Sequence, residues 1–231
     1  MNWQSRTPHT RIKLCGMTRS EDVLLASALE VDAIGLIFAA RSQRRIDLEH
    51  AIVLRDAAAS SLHVVALMMD NPFDEVAAVV SRLHPHLLQF HGNEDDAFCA
   101  QFGIPFLKAL PMRDVAADAV PAMLARYPSA SGFVFDGHVA GAMGGSGERF
   151  DWGQVGSLAI GKPWLLAGGL DAHNVAQAIG SVHPWGVDVS SGIESSAGIK
   201  DHEKMHAFVK AVRRAENEIH DHDSRKPNEQ R

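Results

Sequence analysis

The chain has 231 residues, of which 46% are hydrophobic and 22% charged, with a formal net charge of −6. That is enough apolar mass for a sizeable core, as one α/β domain or two small ones. The acidic balance argues against a nucleic-acid or anionic-membrane partner, which would want a basic face, and leaves open a phosphorylated small molecule, because backbone N–H groups bind phosphate without global positive charge.

Two cysteines, Cys15 and Cys99, make no disulfide framework, and no zinc spacing is present. No basic segment leading into an apolar run opens the chain, and no apolar run reaches the length of a membrane span. A cytoplasmic, reducing compartment is therefore expected.

In chain order, residues 1–10 read as a loose N-terminal arm. The run from Arg11 to Cys15 is a first strand, followed at once by Gly16. Ser20 to Glu30 then reads as an amphipathic helix with Ser20 as N-cap and acid in its first turn. Ala33 to Phe38 is continuously apolar, as a strand buried on both faces should be. Its exit loop carries Ser42, Arg44 and Arg45, and a helix from Asp47 to about Ala59 follows.

His63 to Met68 is strand three, and Asn71-Pro72 starts the next helix, with proline in the first turn. Val76, Val79, Val80 and Leu83 in that helix have the spacing of one buried stripe. Leu87 to Phe90 is a short fourth strand ending in His91-Gly92, and Cys99 falls in a helix pattern from Glu94 to Phe102. Pro105 to Leu110 is strand five, and Gly132 to Phe135 is strand six, ending on Asp136. The stretch from Gly137 to Arg149 is long and glycine-rich, and reads as a lid or binding loop. Pro163 to Ala167 is strand seven and Trp185 to Val189 strand eight. The last helix places Met205, Phe208, Val209 and Val212 on one face.

Eight strand-then-helix units predict a single (β/α)8 barrel over residues 11–215. An open doubly wound sheet is the alternative. Residues 216–231, charged and almost free of apolar side chains, are expected to be a disordered tail. The barrel is expected to act as a monomer rather than a homodimer.

Ligands bind at the carboxyl ends of barrel strands, so the strand ends carry the candidates. Gly168 and Gly169 leave strand seven, and Ser190, Ser191 and Gly192 leave strand eight. Those two exits are where barrels commonly hold phosphate, and ordinary helix entries are the alternative. Cys15 is either an inert buried thiol or a reactive group at the catalytic edge. Asp136, costly to bury unpartnered, is expected to face the site. His91 and Asp188 occupy similar strand ends and either touch substrate or hydrogen-bond to residues that do. Arg44 or Arg45 supplies charge to a substrate carboxylate or phosphate, a solvated loop arginine being the alternative. His84-Pro85-His86 lacks further ligands, and His220 to Asp223 reads as a solvated run, so no metal is expected.

These motifs resemble the phosphoribosylanthranilate isomerase family of tryptophan biosynthesis. Lys13-Leu14-Cys15-Gly16-Met17-Thr18 is similar to its opening signature. Ser42-Gln43-Arg44 and Gln89-Phe90-His91-Gly92 are similar to two further motifs, as are Gly144 to Gly147 with Phe150-Asp151-Trp152. Ala167 to Leu170 with Asn174-Val175, and Val187 to Glu194, resemble its two phosphate-side motifs. Phe90 stands where the family has leucine, and Gly137-His138 follow Asp136 in place of the common Ser or Thr.

The resemblance implies Cys15 as general base, Asp136 as general acid and Arg44 as a substrate-binding residue. It implies an N-linked aldose phosphate converted to an amino-ketose, with no metal, redox cofactor or macromolecular partner. Such chemistry asks for one acid and one base on opposite sides of the sugar. It further asks for a lowered Cys15 pKa, or proton removal coupled to substrate binding, and a raised one at Asp136. The related histidine-pathway isomerase uses two aspartates, and Cys15 occupies the first of those places. A non-catalytic sensor of a phosphorylated metabolite would keep the glycine-rich exits and need neither Cys15 nor Asp136.

Overall fold

The computed structural model describes residues 9–137, 151–156, 158 and 160–224. Strands β1 (Arg11–Cys15), β2 (Ala33–Ile37), β3 (His63–Met68), β4 (Leu87–Phe90), β5 (Phe106–Pro111), β6 (Gly132–Asp136), β7 (Trp164–Leu166) and β8 (Gly186–Val189) close into a parallel barrel in sequence order. The pairing of β8 back onto β1, with Lys13 opposite Asp188, rules out the open sheet. Helices α1 (Ser20–Ala28), α2 (Leu48–Ala57), α3 (Phe73–Leu83), α4 (Asp96–Ala100), α5 (Val120–Ala125), α6 (Gly153–Gly156), α7 (Val175–Val182) and α8 (His202–Ser224) follow their strands.

The apolar strands fill two spaces at once because successive side chains point to opposite faces. Ala33, Val65, Leu87, Leu107, Val134 and Leu165 form one apolar cluster inside the barrel. Ile12, Leu14, Ile34, Leu36, Phe133 and Phe135 pack in the shell between the strands and the helices. Phe90 belongs to this outer shell, with ring centroids 6.1 Å from Phe98, 6.0 Å from Phe102 and 5.7 Å from Phe106. That aromatic cluster accounts for a phenylalanine where the family has leucine.

Several helix starts differ from expectation. Arg19, not Ser20, occupies the cap position of α1, with no side-chain cap. Its guanidinium instead forks onto Asp22, Nε at 2.9 Å and Nη2 at 2.6 Å, a charge-assisted pair across the first turn that leaves the backbone N–H groups without a side-chain cap. Pro72 lies just outside α3, as its cap, rather than in the first turn. The cap of α2 is Asp47, whose side chain accepts from His50 N at 2.8 Å.

The floor of the barrel is closed by charge. Arg11, 1% exposed, donates through Nη1 to Asp32 Oδ1 at 2.7 Å, and Ile12 N donates to Asp32 Oδ2 at 2.8 Å. The Arg11 guanidinium also lies 5.2 Å from the Trp185 ring centroid. Residues 1–8 of the expected arm lie outside the described residues. Thr10, expected to be loose, is not: its N–H donates to Glu216 Oε1 and its carbonyl accepts from Arg213 Nη1 at 2.9 Å.

The same contacts correct the expectation of disorder from Glu216, since α8 runs on to Ser224. Arg213 pairs with Glu216 at 3.1 Å, and Arg214 pairs with Glu218 at 2.8 Å one turn apart, so charged pairs carry the helix on beyond the buried face of Met205, Phe208, Val209 and Val212. Residues 225–231, and most of the expected lid between Gly137 and Arg149, lie outside the described residues. One element has no counterpart in the sequence reading: a small antiparallel pair, β9 (Glu194–Ser196) and β10 (Ile199–Lys200), between β8 and α8.

Candidate active site

At the carboxyl end of the barrel the strands surround a cavity of about 660 Å³, open mouth included. Cys15, Arg44, His91, Asp136, Asp188, Gly168, Gly169, Ser190 and Ser191 all line it. The predicted site residues thus converge, with two distinctions. Arg44 lines the cavity while its neighbour Arg45 is exposed and outside the lining. Gly192 also lies outside it: a Cβ there would stand 1.9 Å from the Leu170 carbonyl oxygen. Gly192 lets the exits of β7 and β8 pack together, which is a different job from opening space for a phosphate.

Cys15 ends β1 directly opposite Gly35 of β2. A Cβ at Gly35 would lie 2.6 Å from Cys15 Sγ and 3.2 Å from Lys13 Nζ, so the missing side chain is the room these groups occupy. Lys13, fully buried, donates to Asp188 Oδ2 at 2.8 Å and stands near enough to the Cys15 thiol for its charge to act on it. Burial pushes the Cys15 pKa up, Lys13 pulls it down, and the net shift is upward. The lowered thiol pKa required for a resting thiolate is therefore not found; the shift runs the other way. Asp188 is likewise raised, by burial first, against the opposing charge of Lys13.

Asp136 ends β6 across the cavity, with Oδ2 3.5 Å from His91 Nε2. His91 Nδ1 lies 3.2 Å from Gln89 Nε2, two residues earlier on the same face of β4. The turn after β4 is fixed from behind by Glu94, whose Oε2 accepts from Gly92 N at 2.9 Å and from Lys108 Nζ at 3.0 Å. Gly168, at φ +85°, permits the close approach of the β6 exit: a Cβ there would meet Gly137 N at 2.3 Å and Asp136 Oδ1 at 3.0 Å. Asn174 ties the loop after β7, donating through Nδ2 to the Gly169 carbonyl at 2.8 Å and accepting from Asp171 N at 3.0 Å.

Four participants carried no assigned role in the sequence reading: Lys13, Gln89, Glu194 and Lys200. Lys13 and Gln89 each sit two residues before a predicted site residue, and the strand period of two is the signal that could have found them. Glu194 and Lys200 belong to β9 and β10 and had no such signal. Glu194 receives Arg44 Nε at Oε1 and Arg44 Nη2 at Oε2, both at 2.8 Å, and Lys200 Nζ at Oε1 at 2.8 Å. Burial pushes Glu194 up, but hydrogen bonds from Arg44 and Lys200 carry its pKa below the ordinary value. Lys200 is lowered by burial despite Glu194, and also donates to the Ser190 carbonyl at 3.2 Å. Among the described residues, Gln89 Oε1 and Asp188 Oδ1 are buried with no hydrogen-bond partner, and both residues line the cavity.

A thiol, two carboxylates and an imidazole at the mouth of a closed barrel, beside the exits of β7 and β8, define an acid–base barrel enzyme acting on a small molecule. Residues 12–211 match the family described as N-(5'phosphoribosyl)anthranilate (PRA) isomerase. The N-(5'-phosphoribosyl)anthranilate isomerase of Xanthomonas euvesicatoria pv. vesicatoria (strain 85-10) is 50% identical over 211 residues, spanning 90% of this chain and 95% of the relative. That of Stenotrophomonas maltophilia (strain K279a) is 50% identical over 207 residues, spanning 90% and 94%.

Among solved structures, the phosphoribosyl anthranilate isomerase from Thermus thermophilus matches with a TM-score of 0.78 at 31% identity, over 89% of this chain and 99% of that one. Another, in complex with reduced 1-(o-carboxyphenylamino)-1-deoxyribulose 5-phosphate, matches with a TM-score of 0.74 at 26% identity, over 88% and 98%. The chain belongs to the N-(5'-phosphoribosyl)anthranilate isomerase family.

Proposed function

We propose that Cys15 and Asp136 divide the acid–base work of the isomerisation that this chain, as a member of that family, catalyses in tryptophan biosynthesis. The observation that carries the reading is their placement: β1 and β6 deliver them into one cavity, with the exits of β7 and β8 between them. A substrate phosphate at Gly168, Gly169, Ser190 and Ser191 would leave the sugar between acid and base. Ile37, Ala39, Leu67 and Met69 form an apolar wall on the β2–β3 side, suited to an aromatic ring. Arg44 stands at that end, and Glu194 engages its Nε and Nη2, leaving Nη1 for the carboxylate of the anthranilate.

In this scheme Asp136 protonates the ribose ring oxygen, and the ring opens to a Schiff base. The Cys15 thiolate then removes the proton at C2′, and the enolamine tautomerises to the amino-ketose 1-(2-carboxyphenylamino)-1-deoxyribulose 5-phosphate. Because burial holds the free thiol protonated, its proton leaves with or after substrate entry. Every group in the scheme comes from one barrel, residues 11–215, as a monomeric enzyme requires. His91 orients Asp136, and Asp188 offers its free oxygen to a sugar hydroxyl. The free thiols fit a reducing compartment, and among the described residues no helix is long and apolar enough to cross a membrane.

The test is Asp136→Asn, which keeps shape and polarity and removes the transferable proton. Turnover should fall by about 10² to 10⁴-fold, with binding of the reduced product analogue largely retained. A variant within a few-fold of the parent would remove Asp136 as the acid.

A further inference from the structure

The barrel interior holds one lysine directly behind the proposed base, and stability alone does not explain it. Strand register puts Val65 of β3, Leu107 of β5 and Leu165 of β7, all apolar, in the same layer of the interior as Lys13. Lys13 and Asp188 instead place an ion pair there, 2.8 Å apart, with Lys13 wholly buried. A buried pair of this kind is no more stabilising than hydrophobic residues of the same volume. The space around it is also built. Gly35 gives up its side chain where Lys13 Nζ and Cys15 Sγ both approach: a Cβ there would lie 3.2 Å from the first and 2.6 Å from the second, while Lys13 is held on its other side by Asp188.

We propose that Lys13 is a positioning residue for the general base, its ammonium held from behind by Asp188 and serving as the counter-charge of the Cys15 thiolate. The inference rests on the reading of Cys15 as base. When Cys15 ionises, its proton leaves to solvent through the cavity and the negative charge stays on sulfur. Lys13 keeps all three protons, because Asp188 and Cys15 more than offset the burial that would neutralise it. The other charges that act on the thiol are Asp188 of β8, Lys200 of β10 and Arg44 from the β2 exit. Asp136 of β6 acts on Asp188 in turn. Of the charges favouring the thiolate, Lys13 contributes most, and the main opposing charge is Asp188.

The experiment follows the rate of Cys15 alkylation by iodoacetamide against pH in the intact enzyme. Cys99 is an internal control, since burial pushes its thiol up to about 12. Lys13→Met and Lys13→Gln both remove the charge, and glutamine keeps an N–H donor so that Asp188 is not stranded. Each should move the alkylation curve to higher pH, slowing the reaction about tenfold or more near neutrality, the size expected of an adjacent charge. Asp188→Asn should move the curve the opposite way, and it reads the same triad if the lysine variants do not fold.

A merely structural lysine would not produce shifts of opposite sign. An unchanged curve in a folded lysine variant, or an unchanged or upward-shifted one in Asp188→Asn, overturns the proposal. If the curve moves as expected while turnover by the lysine variants holds at the parent level, Lys13 governs the thiol but Cys15 is not the base. The two readings therefore fail separately.

Discussion

The guanidinium of Arg44 is forked onto the carboxylate of Glu194 through two hydrogen bonds of 2.8 Å, although 150 residues separate them in the chain. The same carboxylate accepts from Lys200, which donates in turn to the carbonyl of Ser190. One buried acid thus anchors both the arginine assigned to the anthranilate end and the strand exit assigned to the phosphate. Glu194→Gln should raise KM for the substrate roughly tenfold, the scale of a lost charge-assisted hydrogen bond, with a smaller effect on kcat. It should also cost about 3 kcal/mol of stability, because Arg44 and Lys200 are left as neighbouring cations with no buried anion. Steady-state kinetics and denaturant melts read the two effects, and an unchanged KM would dissolve the link.

Arg44 and Arg45 make a paired prediction. Arg44 lines the cavity and Arg45 is exposed, so Arg44→Ala should raise KM by about tenfold or more while Arg45→Ala stays near the parent. Kinetics in which Arg45 matters more would place the loop one residue out of register.

The thiol of Cys15 titrates above the ordinary value because burial outweighs Lys13. The sign follows directly: a raised thiol pKa means less thiolate at neutral pH, so alkylation of the empty enzyme should be slow there and should rise with pH. Its midpoint should exceed that of a free cysteine, about 8.5. A midpoint below that value would mean that the empty site already stabilises the thiolate.

Much of this architecture was legible in the sequence, for a physical reason. Strands buried on both faces leave continuous apolar runs such as Ala33 to Ile37, and barrel chemistry gathers at strand ends, so Cys15, Asp136 and His91 could be placed by counting. Local signals failed where long-range charge decided. Arg19 stands at the start of α1 paired with Asp22 and no serine caps the helix, and Glu216 finds Thr10 and Arg213 rather than solvent. Glu194 and Lys200 lie in a two-residue pairing with no hydrophobic alternation to announce it. At Gly192, where sequence suggests room for a ligand, the structure shows in addition that a Cβ would meet the Leu170 carbonyl oxygen, a contact between two loops that no local signal announces.

The account stands most directly on the thiol. Cys15→Ser preserves the size of the side chain at the end of β1 and replaces the base with a far weaker one. The measurement is turnover of N-(5'-phosphoribosyl)anthranilate, followed by loss of anthranilate fluorescence, alongside the affinity of the variant for the reduced product analogue. The expected result is a fall in kcat of about 10² to 10⁴-fold with analogue affinity within a few-fold of the parent. Near-parental turnover in Cys15→Ser would contradict the assignment of Cys15 as the base.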